Sequence, residues 1–283
     1  MKAGTTWLYR QLEQHPDIVF SREKELHYHA YRDGDIEAMN RGYRLGRARN
    51  AIERYEGSRL SPQYALMRAW YFDYVYRSPD HNRWYRRRFP RKISSTQYCA
   101  DFSNLTATIR EEHWQRLREL SSELKVTYLM RHPVGRIWSH LRFLDALGTD
   151  VTDGGQLSQP GALTKETIVE LDQRFGLWRH SEYSTTIAIL RRQLPAENIK
   201  LMFYDDIQQR PKELLQDLES FLELEHWQYH DNRMNRRINA SEKQVPPPEV
   251  FQVFGARLGP ELEALQRLGV TPPDAWGVQA SSK

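Results

Sequence analysis

The strongest constraint on the fold is a short apolar run that leads directly into a helix. Residues Lys125–Met130 (KVTYLM) predict a buried strand bounded by charges, and Pro133 suits the first turn of the helix that follows. A second strand at Asn198–Tyr204 and an amphipathic helix at Pro211–Leu222 repeat this order. Strands that alternate with helices predict an α/β fold with a parallel central sheet flanked by helices.

The remaining segments carry weaker signals. We expect a helix at Thr6–Gln14, short strands at Asp17–Phe20 and Thr96–Phe102, and helices from Glu166 to Gln193 with a break near Gly176. Residues 31–90 are rich in Tyr, Trp and Arg, and residues 150–160 are rich in Gly, Ser and Gln. We interpret residues 1–283 as one domain in which 31–90 and 150–160 are insertions that shape a substrate pocket.

An anion-binding motif lies at the start of the first predicted helix. It reads Lys2-x-Gly4-Thr5-Thr6. Backbone N–H groups in such a turn converge on an anion, and the positive end of the helix dipole adds to them. Loops of this kind normally follow a buried parallel strand. We therefore expect an N-terminal strand that this sequence lacks, and a natural start upstream of Met1.

A second anion-binding motif follows the strand at Lys125–Met130. It reads Arg131-x-Pro133-x-x-Arg136-x-x-Ser139. Arg131 leaves the strand end, and Ser139 lies two helical turns later, where it can face the same crevice. An arginine and a hydroxyl together bind phosphate well, and ligands of open α/β sheets bind at this end of the strands. The two motifs predict a nucleotide with phosphates at both ends.

The composition excludes several classes of protein. A single cysteine, Cys99, allows neither an internal disulfide nor a Cys-rich zinc site, so we expect a reducing, cytoplasmic setting. No apolar run approaches the roughly 20 residues of a membrane span. The net charge is +4, and arginines concentrate at residues 41–49 and 83–92. Such clusters either attract anions or form solvated helix faces.

In this order the motifs resemble those of the sulfotransferases that use 3′-phosphoadenosine-5′-phosphosulfate (PAPS). KAGTTWLYRQL is similar to the 5′-phosphosulfate loop of that family, and RHPVGRIWSHLRF is similar to its 3′-phosphate motif. SREKELHYH resembles a Lys-Glu-x-His stretch of the carbohydrate branch. ADFSNL resembles an Asp-Phe-Thr-Pro-Ser stretch of bacterial members, with Ser103 for Thr and Asn104 for Pro. The resemblance spans Lys2 to about Trp276 and implies a P-loop NTPase-like sulfotransferase fold whose N-terminal strand is missing here.

The resemblance implies a donor-binding role for six residues. The 5′-phosphate end of PAPS would be bound by Lys2, Gly4, Thr5 and Thr6. Lys2 would also offset the charge on the bridging oxygen as it leaves. The 3′-phosphate would be bound by Arg131 and Ser139.

The resemblance also implies a reaction. Glu25 would be the general base that takes a proton from a hydroxyl acceptor, and His27 could assist it or contact the sulfuryl group. The acceptor would be a carbohydrate or small metabolite, which the arginine clusters could guide if it is anionic. No metal and no specific nucleic acid is implied. Nearby cations, Arg22, Lys24 and Lys2, would lower the pKa of Glu25 and burial would raise it, and the sequence leaves the balance open.

Other interpretations remain open from the residues alone. A P-loop kinase or NTPase would share the anion loop, but here the lysine precedes the glycine instead of following it as in a Walker loop. A non-catalytic binder of an acidic polymer would account for the arginine clusters but not for two ordered anion motifs. Structural roles are also open: a surface carboxylate for Glu25, an aromatic wall for His27 and a helix cap for Arg131.

Overall fold

The computed structural model of the chain describes residues 2–90, 97–121, 123–149, 151–152, 157, 163–230 and 245–277. The chain divides into two compact units. Unit 1 contains residues 1–8 and 125–283, and unit 2 contains residues 9–124. Each unit has its own pair of parallel strands and its own apolar core.

The described residues contain both strands and helices in alternation. The strands are β1 (Ile18–Phe20), β2 (Tyr98–Ala100), β3 (Val126–Met130) and β4 (Ile199–Phe203). The helices are α1 (Thr5–Leu12), α2 (Tyr28–Arg32), α3 (Arg41–Glu53), α4 (Pro62–Tyr76), α5 (Asn82–Arg86), α6 (Glu111–Arg118), α7 (Pro133–Ala146), α8 (Lys165–Phe175), α9 (Tyr183–Gln193), α10 (Tyr204–Gln209), α11 (Pro211–Phe221) and α12 (Pro248–Arg267). Short 3₁₀ helices occupy Ile36–Met39, Asn104–Thr108, Arg179–Ser181, Ala196–Asn198 and Asp274–Trp276.

Both strand pairs are parallel. β1 pairs with β2, and β3 pairs with β4 over five residues, from Val126 opposite Ile199 to Met130 opposite Phe203. Parallel neighbours need a long crossover, which α7, α8 and α9 supply between β3 and β4. Within the described residues the ladders form two two-stranded sheets rather than one continuous sheet. The predicted α/β fold with parallel strands flanked by helices is confirmed.

Helix α7 begins where the sequence predicts it, because two residues, Pro133 and His132, both favour a helix start there. Pro133 occupies the first turn, where its missing N–H costs nothing, and Nδ1 of His132 accepts a hydrogen bond from the Gly135 N–H at 3.3 Å. Ile137 and Leu141 on its inner face are fully buried. They belong to a core built with residues of α8 and α12, including Phe254, whose ring stacks on Trp178 at 5.9 Å between centroids.

The break predicted near Gly176 is also present. Helix α8 ends at Phe175, and Gly176 follows with a left-handed φ of +56°. A residue with a side chain rarely adopts this conformation, which explains why the helical pattern is interrupted there.

The core of unit 2 is built mainly from aromatic rings. The region 31–90, whose periodicity is poor, forms the helices α3, α4 and α5. Their inner faces bury Tyr71, Tyr74 and Trp84 with Tyr28 from α2. Broad rings fill the space between short helices with few residues, so the regular spacing of aliphatic side chains that predicts a helix is lacking here.

One expectation about organisation stays a prediction. Nothing in the structure tests the interpretation of the chain as one domain with 31–90 and 150–160 as insertions, and most of 150–160 lies outside the described residues. None of the helices in the described part of the chain is long and apolar enough to cross a membrane. In the same residues, no group of three or more His, Cys, Asp or Glu side chains is arranged to hold a metal ion.

We expect Ile137→Ala to lower the free energy of unfolding by about 2–5 kcal/mol and Ile137→Val by about 0.5–1.5 kcal/mol, because the side chain is completely buried in α7. Leu147→Ala, at the exposed end of the same helix, should change it by no more than about 0.5 kcal/mol. Urea denaturation of the three variants measures these values. Similar losses for Ile137→Ala and Leu147→Ala would contradict the assigned core.

Candidate active site

The loop before α1 has a backbone that only glycine at position 4 allows. Gly4 has a φ of +91° and Lys2 a φ of +61°, so two residues of the loop are left-handed. A Cβ on Gly4 would lie 2.7 Å from both Tyr204 Cδ2 and Ile207 Cδ1. Conformation and close packing against α10 therefore both require glycine here.

Helix α1 turns its first N–H groups toward this loop. The carbonyl of Gly4 accepts hydrogen bonds from the N–H groups of Trp7 and Leu8, at 2.9 and 3.2 Å. The N–H groups of Thr5 and Thr6 precede this first helical turn and have no acceptor within the helix. These N–H groups and the positive end of the helix dipole lie where the sequence predicts an anion-binding loop, and that role stays a prediction.

Arg131 lies at the end of β3, where its backbone is held in place. The hydroxyl of Tyr183 donates to the Arg131 carbonyl at 2.6 Å. Arg131 Nη1 donates to the Lys2 carbonyl at 3.2 Å, and its guanidinium lies 4.7 Å from the centre of the Tyr204 ring. The two anion motifs, 129 residues apart in the chain, therefore meet in unit 1.

Ser139, the last residue predicted to bind PAPS, lies on helix α7. It is half-buried and lies one helical turn before Phe143, on the same face. The Lys2 ammonium lies 4.5 Å from the centre of the Phe143 ring. Lys2 therefore contacts both Arg131 and a side chain of α7, and the PAPS-binding roles of Lys2, Arg131 and Ser139 stay predictions.

Arg136, the second arginine of the motif, has a structural role. It is fully buried, its Nε donates to Ser181 Oγ at 2.6 Å, and its Nη2 donates to the Leu177 carbonyl. Arg136 therefore fixes the connection between α8 and α9 against α7. Burial, with added effects of Arg136 and Lys2, lowers the pKa of His140 to about 3, so this histidine is neutral.

In unit 2, Glu25 lies among three polar partners. Its Oε1 is 2.8 Å from Lys24 Nζ and accepts a hydrogen bond from Asn104 Nδ2 at 3.3 Å. Its Oε2 is 3.5 Å from His27 Nε2. Burial raises the pKa of Glu25, but the hydrogen bond to His27 and the charge of Lys24 outweigh it and lower the pKa to about 2. Of the two opposing effects on the pKa of Glu25, the polar neighbours therefore outweigh burial, and the side chain is an ionised carboxylate at neutral pH.

His27 reaches Glu25 through a turn of the backbone. His27 is left-handed, with a φ of +53°. Its N–H donates to Ser103 Oγ at 2.8 Å, and Ser103 Oγ donates to Asp101 Oδ1 at 2.5 Å. The ADFSNL stretch therefore holds the turn that carries His27.

A second buried carboxylate in unit 2 is occupied by structural partners. Glu23 Oε1 accepts a hydrogen bond from the Tyr71 hydroxyl at 2.5 Å, and Oε2 accepts one from Arg47 Nε at 2.6 Å. Glu23 is 6% exposed, so a substrate has little access to it. Of the two glutamates, Glu25 is the one placed to exchange a proton with a ligand.

Sequence reasoning missed the residues that support these groups. Tyr183, Tyr204 and Ile207 fix Arg131 and Gly4, yet they belong to no motif, because they act by shape at positions distant in sequence. Ser103 and Asn104 were in the segment compared with the family but had no assigned role. Asn104, which stands where that pattern has proline, is the residue that donates to Glu25.

The chain is similar to known proteins in sequence and in fold. Residues 1–229 match the model of the Sulfotransferase family. The fold is similar to the crystal structure of a sulfotransferase from Alicyclobacillus acidocaldarius, with 19% identity and a TM-score of 0.66, over 97% of this chain and 94% of that one. It is also similar to a sulfotransferase domain from the curacin biosynthetic pathway, with 16% identity and a TM-score of 0.50, over 96% and 95%. No curated protein sequence matches the chain.

The structural neighbours share the P-loop-like fold, and the family match covers both anion motifs, Glu25 and His27. The expected fold class and enzyme class are therefore confirmed. This chain belongs to the sulfotransferase family and is a sulfotransferase.

Proposed function

We propose that the chain transfers the sulfuryl group of PAPS to a hydroxyl group of a carbohydrate or small metabolite, in the cytoplasm. The observation that carries the proposal is the contact between Arg131 and Lys2. It brings the two predicted anion-binding motifs together, so that one PAPS molecule could contact both. A ligand with phosphates at both ends, as PAPS has, fits two such elements better than a single phosphate does.

The residues of unit 1 fit the donor chemically. The free N–H groups at the start of α1, the Thr5 and Thr6 hydroxyls and the Lys2 ammonium would bind the 5′-phosphosulfate. The Arg131 guanidinium and the Ser139 hydroxyl would bind the 3′-phosphate. When bound, PAPS supplies a sulfuryl group on a phosphate leaving group. Lys2 would stabilise the negative charge that develops on the leaving oxygen.

Glu25 would accept the proton of the acceptor hydroxyl, and His27 Nε2 would help to orient its carboxylate. A carboxylate with a pKa near 2 is ionised at neutral pH but is a weak base. Lys24 therefore has to give up part of its pairing with Glu25 as the proton is transferred, and a substrate that displaces Lys24 would strengthen the base.

Measurement of turnover with isotopically labelled PAPS and a panel of hydroxyl acceptors tests the proposal. We expect transfer of the label to an acceptor without added metal. Turnover with ATP and magnesium, and no response to PAPS, would favour a P-loop kinase instead. Binding of DNA with a steep salt dependence and no turnover would favour a non-catalytic binder.

We expect Arg131→Ala to weaken binding of adenosine 3′,5′-bisphosphate by about 1.5–3 kcal/mol, because it removes charge-assisted hydrogen bonds to a phosphate. Isothermal titration calorimetry measures the affinity. Arg267→Ala, an exposed arginine of unit 1, is the matched control and should leave the affinity unchanged. Equal affinities for Arg131→Ala and the unmodified chain would remove Arg131 from the donor site.

Glu25→Gln should abolish sulfuryl transfer and leave the affinity for the same bisphosphate nearly intact, because only the proton acceptor is lost. Transfer of labelled sulfate and calorimetry give the two quantities. Glu53→Gln makes the same substitution at an exposed glutamate of unit 2 and should retain both sulfuryl transfer and affinity for the bisphosphate. Parallel loss of transfer and binding would assign Glu25 a structural role.

Lys24→Gln should move the acid limb of the kcat/KM profile upward, toward the ordinary glutamate value of 4.5, because the cation that lowers the pKa of Glu25 is gone. Lys24→Arg keeps the charge and should keep the limb near its original pH. The profile is measured at saturating PAPS. An acid limb that is the same in both variants would show that Glu25 does not control it.

A further inference from the structure

Unit 2 contains a cavity that neither anion motif uses. Its volume is about 330 Å³, at the lower end of the range for small-molecule sites. It lies between the end of α4 and the beginning of α5. It is lined by Arg77, Ser78, His81, Arg83, Trp84 and Arg87, and we call it the arginine cavity.

The arginine cavity has more cations than its carboxylates can pair. Asp73 is shared by three guanidinium groups, those of Arg77, Arg87 and Arg88. Arg83 makes no ion pair with any residue that the structure describes. The carboxylate of Asp80 accepts a hydrogen bond from Ser78. The wall therefore keeps an excess of positive charge, which favours a bound anion.

Two buried donors beside the cavity are unsatisfied. The indole N–H of Trp84, a lining residue that is 1% exposed, has no hydrogen-bond partner in the described residues, and neither has Arg44 Nε. Arg44 is also buried; its Nη1 donates to the carbonyl of Arg77 at 2.9 Å, and its guanidinium lies 5.9 Å from the Trp84 ring. Because both atoms are buried, they lie behind the cavity wall, so the excess of charged arginines is what favours an anion in the cavity.

The cavity is connected to the segment that carries Glu25. Tyr28 begins α2 immediately after His27, and its ring stacks on Trp84 with centroids 6.0 Å apart and planes inclined by 16°. The Tyr28 hydroxyl donates to Asn82 Oδ1 at 3.0 Å. One layer of aromatic rings thus joins the cavity wall to the Glu25–His27 segment. Tyr28 and Trp84 are almost fully buried, so they hold the cavity wall and the Glu25–His27 segment at a fixed separation, which suits an extended acceptor with a charged group at one end.

We propose that the arginine cavity binds a sulfate or carboxylate group of the acceptor, so that the substrate class is a saccharide that is already anionic. This inference rests on the proposed function for the identity of the ligand. The existence of an anion site in the cavity does not depend on it, because the excess of cations is a property of unit 2 alone.

Titration with inorganic sulfate, followed by proton–nitrogen NMR, tests the site itself. The indole cross-peak of Trp84, assigned with Trp84→Phe, should shift and saturate. Arg83→Gln and Arg87→Gln should weaken the apparent affinity about tenfold or more, since each removes a charge-assisted contact. Arg49→Gln, another exposed helical arginine of unit 2, is the control and should not change it. No shift of the Trp84 peak, or equal weakening by Arg49→Gln, would overturn the anion site.

Matched saccharides test the identity of the ligand without requiring turnover. Calorimetry should show tighter binding of lactose 3′-sulfate than of lactose if the group is a sulfate, and of cellobiouronic acid than of cellobiose if it is a carboxylate. The preference should be lost in Arg83→Gln and kept in Arg49→Gln. Equal affinities within both pairs would overturn the acceptor assignment, even if sulfate alone binds. Failure of PAPS turnover with normal saccharide preference would instead count against the proposed function.

Discussion

The hydrogen bond from Arg131 to the Lys2 carbonyl is the contact on which the proposed PAPS site depends. It joins the loop that carries Gly4 to the end of β3. The bond itself is made possible by Tyr183, which fixes the Arg131 backbone, and by Tyr204, whose ring faces both the Arg131 guanidinium and Gly4. A parallel α/β unit places such residues together because the ends of its strands share an edge.

In unit 2, the neighbours of Glu25 fix its position and also reduce its basicity. Burial alone would raise the pKa of this carboxylate, yet His27 and Lys24 outweigh burial and lower the pKa to about 2. The pairing holds the side chain in a defined position at the expense of basicity. Orientation comes from His27, whose left-handed turn is fixed by Ser103. Sulfuryl transfer depends more on position and charge than on a strong base, so this compromise is compatible with the reaction proposed here.

The sequence predicted the features that are local in the chain. The strand before Arg131, the start of α7 at Pro133 and the break at Gly176 follow from spacing and from the special conformations of proline and glycine. It did not predict contacts between side chains that are far apart in the sequence, such as the packing of Tyr204 against Gly4 or the hydrogen bond from Asn104 to Glu25. The left-handed turn at His27 is another such case, because Ser103 fixes it from 76 residues away.

The long separation between Lys2 and Arg131 also sets an order of events during synthesis. The loop that carries Gly4 is made before the side chains that define its shape, Arg131, Tyr204 and Ile207, because these follow it much later in the sequence. Contacts so distant in sequence form slowly and only after the intervening chain has been ordered. While the ribosome is still translating β4, the loop around Gly4 therefore lacks the contacts that define its shape, and unit 1 acquires the geometry of the proposed PAPS site only after α10 has emerged.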